Sequence, residues 1–381
     1  MRPLRIGINA LFMVPGGVGG TEIYLRALLA ALDGLGTPHQ FFVFINAETD
    51  AGLVPQSPRF EAIQTGVRAK NRPWRLAWEQ LVLPAKLRKH RIDVLLNPGF
   101  TAPVVAPCPT VTVFHDLQHK RHPENFRWFD LPFWRAFLYA SAHRSTLIIA
   151  VSEATRQDFI AHYKVDGSRV RVVHHGVDPE FFGIRERLPR LNGQRYILTV
   201  STLHPHKNFR RLLLAYAEYA KQRTCVKLVI AGLRGFDSPQ IDRLIAELGL
   251  GERVRCTGWI PREDLFALFA GADAFVYPTT FEGFGLTLLE GLAAGLPVAC
   301  SGIEPLRTLA GNAALLFDPH STEEIVDALI RITDDEALRV ALSDAGPRRA
   351  REFNWDKAAR STLKVLTDAT RDDGRRTTDD G

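Results

Sequence analysis

Thr280-Phe281-Glu282-Gly283-Phe284-Gly285-Leu286-Thr287-Leu288-Leu289-Glu290 sets two carboxylates eight positions apart across a glycine loop and the start of a helical run. Upstream, Ala274-Phe275-Val276-Tyr277 is apolar, partly β-branched and aromatic, and ends at Pro278, which reads as a strand. Downstream, Leu286 to Gly295 carries helix formers. Glu282 therefore falls in the loop and Glu290 inside the helix. Gly283 and Gly285 let the backbone turn tightly and approach a ligand, and the first helical amides have no internal partner. Phe284, Gly285 and Leu286 thus offer an anion site. Two carboxylates beside it would repel a purely anionic ligand. A ligand with both phosphate and hydroxyls fits, because carboxylates accept hydrogen bonds from hydroxyls. A nucleotide sugar is such a ligand.

Outward from this stretch, strand-like and helical runs alternate over nearly the whole chain. Strands are expected near Leu4–Asn9, Phe41–Ile45, Ile92–Leu96, Val111–Phe114, Leu147–Val151 and Val170–Val173, and again near Tyr196–Val200, Lys227–Ala231, Val254–Thr257, Ala274–Tyr277 and Val298–Ser301. The alternation predicts an α/β chain of two Rossmann-like doubly wound domains facing across a cleft. Residues 1–185 form the expected N-terminal domain and 195–354 the C-terminal domain that carries the nucleotide-sugar stretch, with the Arg- and Pro-rich segment Phe182–Gln194 as linker. The polar end, 368–381, is expected to be disordered.

The 381 residues carry a net charge of +6, and 46% of them are hydrophobic, ample for ordinary cores. Cys108, Cys225, Cys256 and Cys300 are scattered without a Cys-x-x-Cys pair, so reduced thiols and no zinc site are expected. No apolar run is long enough for a membrane span, and Met1 to Leu11 reads as a first strand rather than a secretory leader. The protein is expected to be cytoplasmic. The positive excess lies wholly in the first 190 residues. Arg68, Lys70, Arg72, Arg75, Lys86, Arg88, Lys89 and Arg91 surround Trp74 and Trp78, the mixture of a segment that docks on anionic lipid at a membrane's inner face. No nucleic-acid motif accompanies the charge, so no nucleic-acid partner is expected.

Further candidates fall where strands are expected to end, which is where ligands sit in such sheets. Gly16, Gly17, Gly19 and Gly20 follow the first strand, and Gly17 and its neighbours can bring amides to an anion. Lys207 follows the first strand of the second half. His115 ends an otherwise apolar strand and is followed by Asp116. His174 and His175 are adjacent on an extended run, so they point to opposite faces and do not suggest a metal site.

The block YPTTFEGFGLTLLEGLAAGLPVACSGIEPLRTLAGNAALLFDP, Tyr277–Pro319, resembles the donor-binding region of the retaining glycosyltransferases of family 4, whose hallmark is a pair of glutamates with seven residues between them. Thr202-Leu203-His204-Pro205-His206-Lys207-Asn208 resembles that family's basic phosphate-binding loop. Phe114-His115-Asp116-Leu117 resembles its histidine motif, and Pro15-Gly16-Gly17-Val18-Gly19-Gly20 its first glycine loop. The resemblance implies the glycosyltransferase-B fold, with a C-terminal helix at 355–367 crossing back to the first domain. It also implies hexosyl transfer from a nucleotide diphosphate sugar with no metal cofactor. Within the family, the pattern is nearest to mannosyltransferases of bacterial surface polysaccharide assembly. That implies GDP-mannose as donor and a saccharide or polyprenyl-diphosphate-linked saccharide as acceptor.

By the same resemblance His206, Lys207 and the amides around Phe284–Leu286 face the diphosphate, with Gly17 on the donor side. Glu282 faces the sugar, Glu290 the ribose, and His115 the reaction centre, with Asp116 orienting His115 or the acceptor. Two departures touch the donor side: His206 stands where relatives carry arginine, and Arg307-Thr308 where they carry Pro-Glu. A nucleotide-sugar epimerase of the same architecture and a non-catalytic nucleotide-sugar-binding subunit are the alternatives.

Overall fold

The computed structural model describes residues 2–16, 19–126, 131–187 and 193–371. It forms two compact units, Met1–Gly176 with the segment from Trp355 onward, and Val177–Asn354. The first unit ends earlier than the 185 expected from the linker composition. Asp178 caps a short turn at Pro179–Phe181, whose Phe181 packs on Phe266 and Phe269, so this stretch, just ahead of the expected linker, is core of the second unit.

The first unit holds β1 (Arg5–Asn9), β2 (Gln40–Ile45), β3 (Phe60–Gln64), β4 (Val94–Asn97), β5 (Thr110–Phe114), β6 (Leu147–Ala150) and β7 (Val170–Val172). They lie in the order β3-β2-β1-β4-β5-β6-β7, and every pairing is parallel. The second holds β8 (Arg195–Val200), β9 (Val226–Ala231), β10 (Val254–Gly258), β11 (Ala274–Tyr277), β12 (Val298–Ser301) and β13 (Leu315–Phe317), ordered β10-β9-β8-β11-β12-β13, again all parallel. Strands covered on both faces read as continuous apolar runs, as in β6 (LIIA) and β11 (AFVY), both buried at every position.

Chain order reverses between β1 and β4 in the first sheet and between β8 and β11 in the second. The crevice at the carboxyl ends of those strands is the general ligand position of such sheets. In the second unit it is flanked by the loops Ser201–Asn208 and Pro278–Gly285.

The helix Trp355–Arg371 packs on the helix Gly20–Gly34 and on β4, β5 and β6 of the first unit. Its buried Trp355, Ala358, Ala359, Thr362, Leu363, Val365, Leu366 and Ala369 recur at helical spacing, and this stripe is what binds it to the sheet. It continues to Arg371, so 368–371 is helical rather than disordered as expected; residues 372–381 lie outside the described residues. Among the described residues, no helix is long and apolar enough to cross a membrane.

The basic aromatic segment is a helix, Arg72–Leu81, capped by the Asn71 side chain. Arg75, Trp78 and Glu79 share its inner face at i, i+3, i+4 spacing and are buried. Trp78 joins the core with Phe42, Phe44 and Leu87, so neither Arg75 nor Trp78 belongs to a docking surface. Trp74 and Leu81 remain exposed, with Arg68, Lys70, Arg72, Arg88, Lys89 and Arg91.

Candidate active site

In the second unit, β8 runs into a turn at Pro205–Lys207, and Asn208 takes a left-handed conformation before the helix Phe209–Gln222. Asn208 Nδ2 donates to the carbonyls of Pro278 (3.0 Å) and Pro319 (2.8 Å). The His206 carbonyl accepts from the Thr280 amide (2.7 Å) and from the Thr279 and Thr280 hydroxyls (3.0 and 3.1 Å). The loops after β8 and β11 are therefore tied together by the backbone and small polar side chains. Their charged residues meet as a consequence.

Lys207 Nζ donates to Glu282 Oε1 and, at 3.4 Å, to the Tyr277 hydroxyl, which itself donates to Glu282 Oε1 at 2.6 Å. Burial first, and then the adjacent Glu282 carboxylate, raise the Tyr277 phenol well above its usual range, so it stays protonated and donating. An ammonium has three donors. Two are engaged, which leaves one for an incoming oxyanion, while the second oxygen of Glu282 remains an acceptor.

Gly285 caps the helix Leu286–Ala293 with φ 111°, and a Cβ there would lie 2.6 Å from Leu306 Cδ2. Glycine is required on both counts. Gly285→Ala is expected to lower stability by about 1–3 kcal/mol and to weaken nucleotide binding. Gly34→Ala, in open space at ordinary φ, should change stability by less than about 1 kcal/mol. Denaturant unfolding of the two variants checks this, and equal costs would refute the tight turn.

Glu290 sits on this helix, 6% exposed, and among the described residues its carboxylate has no hydrogen-bond donor. Burial pushes its pKa up to about 7; Arg262 opposes the rise and Asp178 adds to it. Arg262 and Asp178 form an ion pair, with the guanidinium also over the Phe266 ring at 5.1 Å. A buried acidic group without a donor is costly unless a ligand supplies one.

His206 is buried, its ring parallel to His204 at 5.8 Å and edge-on to Phe281 at 6.3 Å. Burial first, then the Lys207 charge, lower the pKa of His204. Arg307 folds back on the Gly302 carbonyl (2.8 Å) and lines a cavity of about 340 Å³ beyond β12 and β13, which Lys207, Glu282 and Glu290 do not line.

In the first unit, His115 Nε2 lies 2.9 Å from the Pro98 carbonyl. A carbonyl only accepts, so Nε2 carries the hydrogen and Nδ1 is left as an acceptor. Burial lowers its pKa to about 4, so the ring is neutral at physiological pH. Asp116 Oδ1 accepts from the Gln118 amide at 2.9 Å and shapes the turn after β5. Gly17 lies outside the described residues. Beside it, Gly16 donates its amide to Glu22 at 2.8 Å, and Gly16 and Gly19 both have positive φ.

Two features of this unit escaped the sequence reading. His174 is exposed and His175 buried, on opposite faces as the alternation implies. His175 packs 5.3 Å from His115, against Tyr24 (4.8 Å) and Trp355 (5.8 Å), so the second histidine helps to enclose the first. The other feature is Glu79, which accepts from Asn9 (3.0 Å) and Thr101 (2.9 Å) behind the ends of β1 and β4. Its i−4 partner Arg75 was the available signal.

Comparison with known proteins agrees with this geometry. The family profile described as Glycosyltransferase Family 4 matches residues 18–181, and that described as Glycosyl transferases group 1 matches 181–349. The O-antigen chain mannosyltransferase B of Escherichia coli is 30% identical over 302 residues, 77% of this chain and 77% of that protein. Sucrose-phosphate synthase from Thermosynechococcus elongatus superposes with a TM-score of 0.76 at 20% identity, covering 96% of this chain and 99% of the other. The Anabaena protein HepE, solved in complex with UDP and glucose, gives 0.73 at 20% identity over 96% and 99%. The fold is that of the glycosyltransferase-B enzymes. The chain belongs to glycosyltransferase family 4 and is a hexosyltransferase.

Proposed function

We propose that this glycosyltransferase moves a hexose, mannose from GDP-mannose, to a saccharide or polyprenyl-diphosphate-linked saccharide in cell-surface polysaccharide synthesis, with retention at the anomeric carbon. The observation that carries the reading is the Lys207–Glu282–Tyr277 cluster beside the undonated Glu290 carboxylate and the capped helix at Gly285. Lys207 and the amides around Phe284–Leu286 take the diphosphate, and the open oxygen of Glu282 takes a sugar hydroxyl. Glu290 takes ribose hydroxyls, and His206 flanks the phosphate loop. Neutral His115, oriented by Pro98, stands near the reacting carbon, with Asp116 on the acceptor side. No carboxylate is assigned as nucleophile. The leaving phosphate oxygen accepts the acceptor's proton as the glycosidic bond breaks, and the protein's share is electrostatic stabilisation of the diphosphate.

The similarity to an O-antigen mannosyltransferase favours the mannosyl donor. The test is product analysis after incubation with radiolabelled GDP-mannose, UDP-glucose and UDP-galactose and a bacterial lipid extract, with anomeric configuration read by NMR. Label in a saccharide or lipid fraction, α-linked and specific to GDP-mannose, is expected. Epimerised or free sugar without an acceptor would favour the epimerase. Nucleotide-sugar binding with no turnover would favour a binding subunit.

We further propose that the enzyme works on the cytoplasmic face of the membrane, resting on the exposed Trp74 and Leu81 with the basic side chains beside them. Lys70→Glu with Arg72→Glu is expected to lower partitioning onto phosphatidylglycerol vesicles by at least about thirtyfold, because each basic side chain lost is worth about 1 kcal/mol and the new carboxylates add repulsion. Arg75, being buried, is left unchanged in this test. Salt-insensitive sedimentation, identical in both proteins, would refute the contact.

A further inference from the structure

Lys120 and Arg135 stand side by side just past the His115 loop, and neither has a carboxylate partner among the described residues. Lys120 lies on the four-residue helix Gln118–Arg121 and Arg135 on the helix Leu131–Arg144. Both touch one buried pair: His119 Nε2 meets the Tyr163 hydroxyl at 2.7 Å, Lys120 Nζ lies 5.1 Å from the centre of the Tyr163 ring, and Arg135 Nη2 donates to the His119 carbonyl at 3.4 Å. Arg135 Nε is buried with no acceptor. Nearby carboxylates serve other groups: Asp158 pairs with Arg121, Glu124 with His122, and Asp116 accepts from the Gln118 amide.

Two half-buried like charges repel, and a ring face offsets little of that. Burial and the Arg135 charge accordingly lower the Lys120 pKa. An anion held between the two cations would offset that repulsion. We propose that Lys120 and Arg135 form a subsite for a phosphoryl or diphosphate group carried by the acceptor. The proposal rests on the glycosyl-transfer reading for the word acceptor, but not for the anion. Lys120 follows His115 and Asp116 on one loop, which links the subsite to the first unit's candidate residues. In the proposed function Lys207 and the helix at Gly285 take the donor phosphates, which assigns these two cations to the second substrate.

The test is calorimetry with geranyl diphosphate while saturating GDP, or UDP in a parallel series, fills the donor site. Wild type, Lys120→Gln, Arg135→Gln and Arg135→Lys are compared. Wild type is expected to bind, each Gln variant about tenfold more weakly for one charge-assisted bond lost, and Arg135→Lys within a few-fold of wild type. Nucleotide affinity should be unchanged in all four, which reports a folded donor unit. Unchanged geranyl diphosphate affinity in both Gln variants overturns the proposal, as does a wild type that does not bind the probe. So does a loss confined to phosphatidylglycerol vesicles, which would assign the cations to a lipid surface. A wild type that binds geranyl diphosphate through these residues yet transfers no sugar supports the subsite and refutes the transfer reading. Transfer to a neutral saccharide without probe binding does the reverse.

Discussion

Lys207→Met is expected to lower kcat by about 10²–10³, the usual cost of losing one preorganised group that faces developing negative charge. Met keeps the length and the contact with the Tyr277 ring, over which Nζ lies at 5.7 Å, so the charge is the main thing removed. The same substitution strands Glu282, whose side chain is only 11% exposed and which would keep Tyr277 as its remaining donor. Loss of the ammonium also removes a donor that holds the Glu282 carboxylate in place, so Lys207→Met should disturb the sugar contact along with the phosphate cation. Glu282→Gln separates the two: it frees Lys207 for the phosphate and should spare nucleotide affinity while reducing transfer. The measurement is steady-state kinetics at saturating donor, with calorimetry of the nucleoside diphosphate for both variants. If Lys207→Met transfers sugar at the wild-type rate, Lys207 does not face the leaving group.

The pairing of Lys207 with Glu282 shows where sequence reading stopped. Each was legible singly, because a lysine at a strand end and a glutamate in a glycine loop are positions that parallel sheets assign to ligands. Their contact depends on β8 and β11 being neighbours and on Asn208 tying one loop to the other. Neither fact is local in sequence. The apolar strands β1, β5, β6, β8, β9, β11 and β12 were read closely because burial on both faces makes their signal continuous. The edge strand β3, FEAIQ, was missed: three of its five residues are exposed, so it carries almost no apolar pattern. β13, LLF, was missed because it has no β-branched residue, unlike the equally short β7, VRV. Trp78 was misplaced because a run of basic residues masked an apolar stripe at helical spacing. The place of His175 beside His115 depends on Trp355, far along the chain, and so was not legible locally.

Nucleotide affinity is expected to rise with pH through about 7 in the wild type, and Glu290→Gln should abolish the rise. In the free protein, burial holds the Glu290 carboxyl at a pKa of about 7. Ribose hydroxyls donate to the ionised form, so binding lowers that value and releases a proton. Affinity is then reduced below pH 7, where the group must first ionise, and levels off above it. Folding stability moves the other way. The folded value lies above the unfolded value of 4.5, so the folded state binds more protons between them. Stability from this group is fully present below about pH 4.5 and is lost as pH climbs through about 7, a loss on the order of 3 kcal/mol. Glu290→Gln carries no charge and should be more stable than wild type at pH 8 and similar to it near pH 4.5. Glu290→Ala should bind nucleotide weakly at every pH, because no acceptor remains. Calorimetry with the nucleoside diphosphate and urea unfolding, each from about pH 5 to 8.5 in metal-free buffer, read both effects. An affinity that instead falls with rising pH, and is flattened by His206→Arg, would assign the titration to an imidazolium at the phosphate loop. Parallel curves for wild type and Glu290→Gln would mean that Glu290 lies away from the ribose.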